Sequence, residues 1–188
     1  MKYCILLLLP LSLMAVSCSE GEREQAQQEQ YEMQLRQQLI ETTEAFRNDL
    51  TQLLDLYFDL KDTLVATNPE AAAELAGSLV QTVDEADVTG LNDETVMIWA
   101  SFADDVVSTG NRLQEETDIE EQRFHFESLS ETMIQIGDSF RPAGYDIFVQ
   151  SCPMVRDGSA EWLSREEEIR NPYHGDRMLH CGEVLRRL

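Results

Sequence analysis

Basic residues are scarce in this chain: 14 Lys and Arg stand against 36 Asp and Glu, for a formal net charge of −22. A field of that sign repels phosphate backbones and anionic surfaces, which excludes nucleic acid as an expected partner. Histidine is scarcer still, with three in 188 residues. A carboxylate-bridged di-iron bundle needs Glu-x-x-His on facing helices. His125, the only histidine in a helical stretch, belongs to no such motif. The many helical carboxylates, Asp104 and Asp105 among them, therefore read as a solvated face. Gly-x-Ser-x-Gly, Cys-x-x-Cys-His and a phosphate-cradling glycine loop are all missing. With no acid, base and nucleophile constellation, the chain is not expected to be an enzyme.

Long apolar runs are missing too. The run from Ile5 to Val16 is shorter than the ~20 residues a spanning helix needs. Its setting explains it. In "MKYCILLLLPLSLMAVSC", basic Lys2 precedes the run and small Ser17 precedes Cys18. This is the layout of a secretory signal peptide over residues 1–17. The cysteine directly after the small residue resembles a bacterial lipoprotein signal, cut before Cys18 with lipid placed on that thiol. Ordinary cleavage would instead leave Cys18 a plain thiol. Ser19 supplies no inner-membrane retention aspartate, so the expected location is the cell envelope, anchored by lipid at the outer membrane.

What remains is enough for one domain with a core. Residues 18–34 are polar and Gln/Glu-rich and read as a tether, leaving 35–188 as the folded domain. Leu35, Leu39, Phe46, Leu50, Leu53, Tyr57, Leu60 and Leu64 form one apolar stripe on a long helix. Asn68 and Pro69 stop it and cap a second helix, in which Ala72, Leu75, Ala76, Leu79 and Val83 face inward. Asn92 caps a third, with Trp99, Phe102, Val106 and Leu113 on one face; Gly110 inside it is expected to bend or end it. Asp118 followed by Glu121 resembles a capping box and opens a fourth, striped by Phe126, Leu129, Met133, Ile136 and Phe140. These elements predict an all-α fold: an antiparallel four-helix bundle with an irregular tail over 145–188. The tail is expected to be a short hairpin or loop, then a short helix from about Asp176.

The tail differs chemically from the body. Residues 151–188 hold six arginines and seven acidic residues, whereas the rest carries nearly all the excess negative charge. They also hold Cys152, Met154, Met178 and Cys181, with His174 and His180 beside them. Thiolate and thioether donors select Cu(I), so two Cys with one or two Met could enclose that ion. The competing reading is a structural disulfide between Cys152 and Cys181, because the expected compartment is oxidising. Closing that loop of about 30 residues would stabilise by roughly 3.5 kcal/mol. Met154 and Met178 could equally be gap-filling core. Spacing leaves the metal and the disulfide both open.

Several stretches carry a resemblance: Leu53 to Leu64, Gln122-Arg123, Phe126, Leu129-Ser130, Cys152-Pro153-Met154, Trp162-Leu163-Ser164, Ile169, Asn171-Pro172-Tyr173, Gly175, Met178 and Cys181-Gly182. Together they resemble a bacterial family of uncharacterised envelope domains, which is also fused to periplasmic adaptor subunits of heavy-metal and copper efflux systems. The resemblance implies a helical envelope domain linked by context to copper handling, with an efflux adaptor as partner. It carries over Cys152, Met154, Met178 and Cys181 as ligands; His174 and His180 fall outside the carried set. The alternative from another class is a metal-free, disulfide-stapled interaction module.

Overall fold

The computed structural model describes residues 42–188, apart from 143 and 157. The signal peptide over 1–17, Cys18 with its lipid, the 18–34 tether and the stripe positions Leu35 and Leu39 lie outside the described residues. Among the described residues four helices come first: α1 Glu44–Val65, α2 Pro69–Asp84, α3 Asp93–Glu115 and α4 Ile119–Phe140. Three strands follow, β1 Phe148–Val155, β2 Gly158–Ser164 and β3 Glu183–Arg187, with a single 3-10 turn at Gly175–Arg177 before the last.

Each helix starts where a side chain can accept its free N–H groups. Asn68 accepts from Ala71, Asn92 from Thr95, and Asp118 from Glu120 and Glu121. The reciprocal arm of the capping box is not made by Glu121. Glu116 supplies it instead, its carboxylate accepting from the Asp118 N–H at 3.1 Å. Thr43 caps α1 in extended backbone and accepts from the Phe46 N–H, so the apolar stripe is not one unbroken helix across that position. Gly110 does not end α3, which runs on to Glu115. It is buried in mid-helix, and a Cβ there would lie 2.6 Å from Cγ2 of Val80. The glycine lies against α2, where a Cβ would also lie 3.6 Å from the Ala76 carbonyl, a close approach that the small residues Ala72 and Ala76 suggest.

The expectation of an all-α fold is overturned. The tail is a three-stranded antiparallel sheet in the order β2-β1-β3, which makes the protein an α-rich mixed fold. The hairpin forms as β1 and β2, but the expected helix from Asp176 is only one 3-10 turn, and the chain then runs as β3. β1 lies in the centre, so Val149, Gln150, Ser151 and Cys152 are all buried and no polar alternation marks it as a strand. β3 is an exposed edge with no apolar alternation to announce it. Pro153, which has no N–H to give a ladder, sits where the β1–β2 register shifts between Cys152 and Val155.

Bundle and sheet share one core within a single unit, Leu39–Leu188. Tyr57 of α1 joins them. Its hydroxyl hydrogen-bonds Ser130 of α4 at 2.7 Å and accepts the Leu163 N–H of β2 at 3.1 Å. Burial holds its proton well above the ordinary phenol range, so the hydroxyl stays neutral. Leu163 and Leu188 reach α4 at Gly137, where a Cβ would lie 2.6 Å from Leu188 Cδ1. No helix among the described residues is long and apolar enough to cross a membrane.

A cysteine pair at the sheet and loop

Cys152 and Cys181 lie 29 positions apart in sequence and their sulfurs are 3.5 Å apart. Both are free thiols. Cys152 is wholly buried on the central strand, opposite Ala160 of β2. Cys181 is partly exposed on the loop before β3, its N–H donating to the Met178 carbonyl at 3.0 Å. The thiol of Cys181 keeps its proton above the ordinary range, first because of its hydrogen bond with Cys152, then through loss of hydration and the neighbouring sulfur's charge. A metal that binds here must displace protons, so its affinity rises with pH.

The segment "NPYHG" holds the two sulfurs together. Asn171 is fully buried and satisfied on every side. Its side-chain N–H donates to the Cys181 carbonyl at 2.9 Å and its side-chain Oδ1 accepts from the Tyr173 N–H at 2.8 Å, while its backbone N–H donates to the Leu179 carbonyl at 2.8 Å and its backbone carbonyl accepts from the Gly175 N–H at 3.1 Å. Tyr173 donates to the Glu161 carbonyl of β2 at 2.6 Å and lies edge-on to Trp162, with centroids 5.9 Å apart. It also meets Phe126 of α4 at 5.9 Å. Tyr173 thus packs the loop on both the sheet and the bundle. Gly182 follows Cys181 with φ +148, and a Cβ there would lie 2.6 Å from the Ser151 carbonyl. Only a glycine lets the loop cross β1 this closely.

Arg123 is the anchor that sequence reasoning missed. It is buried on α4, and each arm of its guanidinium reaches a different element. Nε donates to the Pro172 carbonyl at 2.9 Å, and Nη2 to the Leu64 carbonyl at 2.8 Å and the Thr67 hydroxyl at 3.0 Å. Nη1 pairs with Glu120 at 2.6 Å. One side chain thus adds a charged donor to the Leu64 carbonyl at the end of α1, which also accepts from the Thr67 N–H at 3.2 Å, and clamps the loop that carries Cys181. Gly175, at φ +54, makes room for it: a Cβ would lie 2.6 Å from Arg123 Nη2. The sequence signal was a charge three residues before Phe126, on the buried stripe. Glu120 also binds Arg177 at 2.8 Å. Burial alone would raise its pKa, but the hydrogen bonds from Arg177 and Arg123 outweigh this and lower it.

The remaining predicted site residues are placed as follows. Met178 is partly buried, three residues before Cys181 in the turn that links them. Met154 is 58 % exposed, because the irregularity after Cys152 turns both Pro153 and Met154 to solvent. His174 meets the Met154 carbonyl through Nε2 at 3.0 Å, and His180 meets the Ile169 carbonyl through Nδ1 at 3.0 Å. Each ring is tied at one nitrogen and has the other to offer. His125 is partly buried at the edge of the core, as its place beside the stripe suggests. Among the described residues, no three His, Cys, Asp or Glu side chains gather as a metal-holding group.

Residues 53–144 match the model of a family described as a protein of unknown function, DUF3347. That match spans most of the helical bundle and stops before β1, so it reports an uncharacterised domain family and nothing about the cysteine pair. No curated protein and no solved structure matches the chain.

Proposed function

We propose that this protein is a lipid-anchored envelope protein that holds a soft metal ion, Cu(I), as cargo between Cys152 and Cys181. The observation that carries the reading is the meeting of two free thiols, 3.5 Å apart, from segments 29 residues distant. Paired thiolates are the donor set that a soft, low-coordinate ion selects. Met178, one turn before Cys181, and solvent-facing Met154 are the thioethers within the same tail, and His174 and His180 stand at its margin. Cys152 fixes the ion at the sheet while Cys181, nearer solvent, admits it. In this reading the protein buffers copper, or passes it to a heavy-metal efflux adaptor, and Cys18 carries the lipid. The signal-like N-terminus and the resemblance of the tail motifs support the setting. No acid-base chemistry is assigned, and nucleic acid is not a partner.

The test is a competition titration. The reduced full chain should take one Cu(I) from a chromophoric chelator. Cys152→Ser or Cys181→Ser should weaken binding by more than the roughly 10–100-fold that loss of a supporting partner costs. Affinity unchanged by both substitutions sinks the proposal.

A second reading rests on the same contact. Sulfurs in contact need to close only to about 2.05 Å to bond. The protein would then be a metal-free, disulfide-stapled interaction module. A disulfide that survives mild reductant in the purified chain, together with no copper uptake, favours this reading.

A further inference from the structure

The two thiols are not equivalent, and the fold makes them unequal. Cys152 sits on the central strand, opposite Ala160 of β2, with no exposed surface. Cys181 stands on the loop, partly exposed, its backbone held by Met178 and Asn171 while one side faces solvent. Reagents in solution reach the second and not the first. A buried thiol is inert toward them, yet here it lies in contact with the sulfur that would carry any adduct.

We infer that Cys181 exchanges with small-molecule disulfides and that Cys152 resolves the adduct. In the first step the Cys181 thiol gives up its proton and its sulfur attacks one sulfur of the disulfide. A Cys181–S bond forms, the S–S bond of the reagent breaks, and one thiol leaves, taking up a proton. In the second step Cys152 gives up its proton and attacks Cys181 Sγ. The Cys152–Cys181 bond forms, the mixed disulfide breaks, and the second thiol leaves. The protein loses two electrons and two protons, and the small disulfide becomes two thiols. Closure needs the sulfurs to come from 3.5 Å to bonding distance. The product holds no thiolate, so the same pair either offers soft donors or is oxidised, never both. The inference uses the cysteine pair of the copper reading but needs no metal.

The reduced full chain is exposed to oxidised glutathione, quenched with acid and N-ethylmaleimide at intervals, and mapped by peptide mass. Mapping separates Cys152 and Cys181 from Cys4 and Cys18. In wild type, the glutathione adduct should appear first on the Cys181 peptide, then give way to linked Cys152 and Cys181 peptides. In Cys152→Ser the Cys181 adduct should persist. In Cys181→Ser, adduct on Cys152 should form at least ~10-fold more slowly, as burial demands. First modification at Cys152, or two thiols still free after prolonged exposure of wild type, overturns the inference. The wild-type time course decides alone if a variant misfolds by circular dichroism. Linkage without copper uptake by the dithiol would defeat the copper reading and leave this one standing. Copper uptake without linkage would do the reverse.

Discussion

Arg123→Met is the substitution that most directly examines how the tail is held. Methionine keeps much of the alkyl packing and removes every donor. The buried Pro172 carbonyl then loses its partner and the Leu64 carbonyl keeps the Thr67 N–H, while the Thr67 hydroxyl can turn elsewhere and Glu120 keeps Arg177. Leaving a buried acceptor unpaired costs about 1–3 kcal/mol, and bonds from a charged donor lie at the upper end. One acceptor left unpaired and one stripped of its charged donor place the expected loss at about 2–3 kcal/mol, a large share of the ~5–15 kcal/mol available to a domain. The assay is urea unfolding followed by tryptophan fluorescence. The midpoint should fall by roughly 1–3 M at unchanged slope, given slopes of about 1–3 kcal/mol/M. Arg177→Met is the control: its side chain is 59 % exposed, and surface changes stay within about 0.5 kcal/mol. A loss below about 1 kcal/mol for Arg123→Met would refute the view that this arginine ties the end of α1 to the cysteine-bearing loop.

Three further outcomes are expected. Tyr57→Phe removes the hydroxyl shared by α1, α4 and β2 and should cost about 1–3 kcal/mol in thermal or chemical denaturation. Gly110→Ala gains helix propensity of about 1 kcal/mol but overpacks Val80 by about 1–3 kcal/mol, so it should be neutral to destabilising, and a second change, Val80→Ala, should restore or improve stability. Because Glu120 has its pKa lowered on folding, its contribution is full above the ordinary carboxylate range and is lost as pH falls through the lowered value. Glu120→Gln should therefore flatten the fall in stability between about pH 5 and pH 3, as measured by urea midpoints.

The helices were legible because their signals are local. Asn68, Asn92 and Asp118 each cap the helix expected of them, and Trp99, Val106 and Leu113 lie on the buried face that their spacing drew. The sheet was not legible, since its signals are not local. β1 is buried on both faces, so Gln150 and Ser151 interrupt any apolar pattern, and the Gln150 amide N–H donates to the Glu166, Glu167 and Glu168 carbonyls, well along the chain. β3 is exposed, so "EVLRR" reads as the end of a charged helix until β1 is beside it. Gly110 misled for a related reason: propensity counts its cost within α3 and cannot see Val80 across the interface. For the cysteines, spacing left metal and disulfide open because both demand the same contact. The contact itself depends on Asn171, Gly182 and Arg123, whose partners lie on other elements.

The Tyr57 hydroxyl has a thermodynamic consequence for whatever happens at the sulfurs. Through that one oxygen the strand beside the cysteine pair is wired to two helices, at separations of 73 and 106 residues. The sheet has no interior of its own that could melt alone. A ligand or covalent change confined to Cys152 and Cys181 is thus linked by mass action to denaturation of the whole fold, and a ligand held at a hundred times its dissociation constant should raise global stability by about 2.7 kcal/mol. A melting curve becomes a binding assay, read from helices that never touch the ligand.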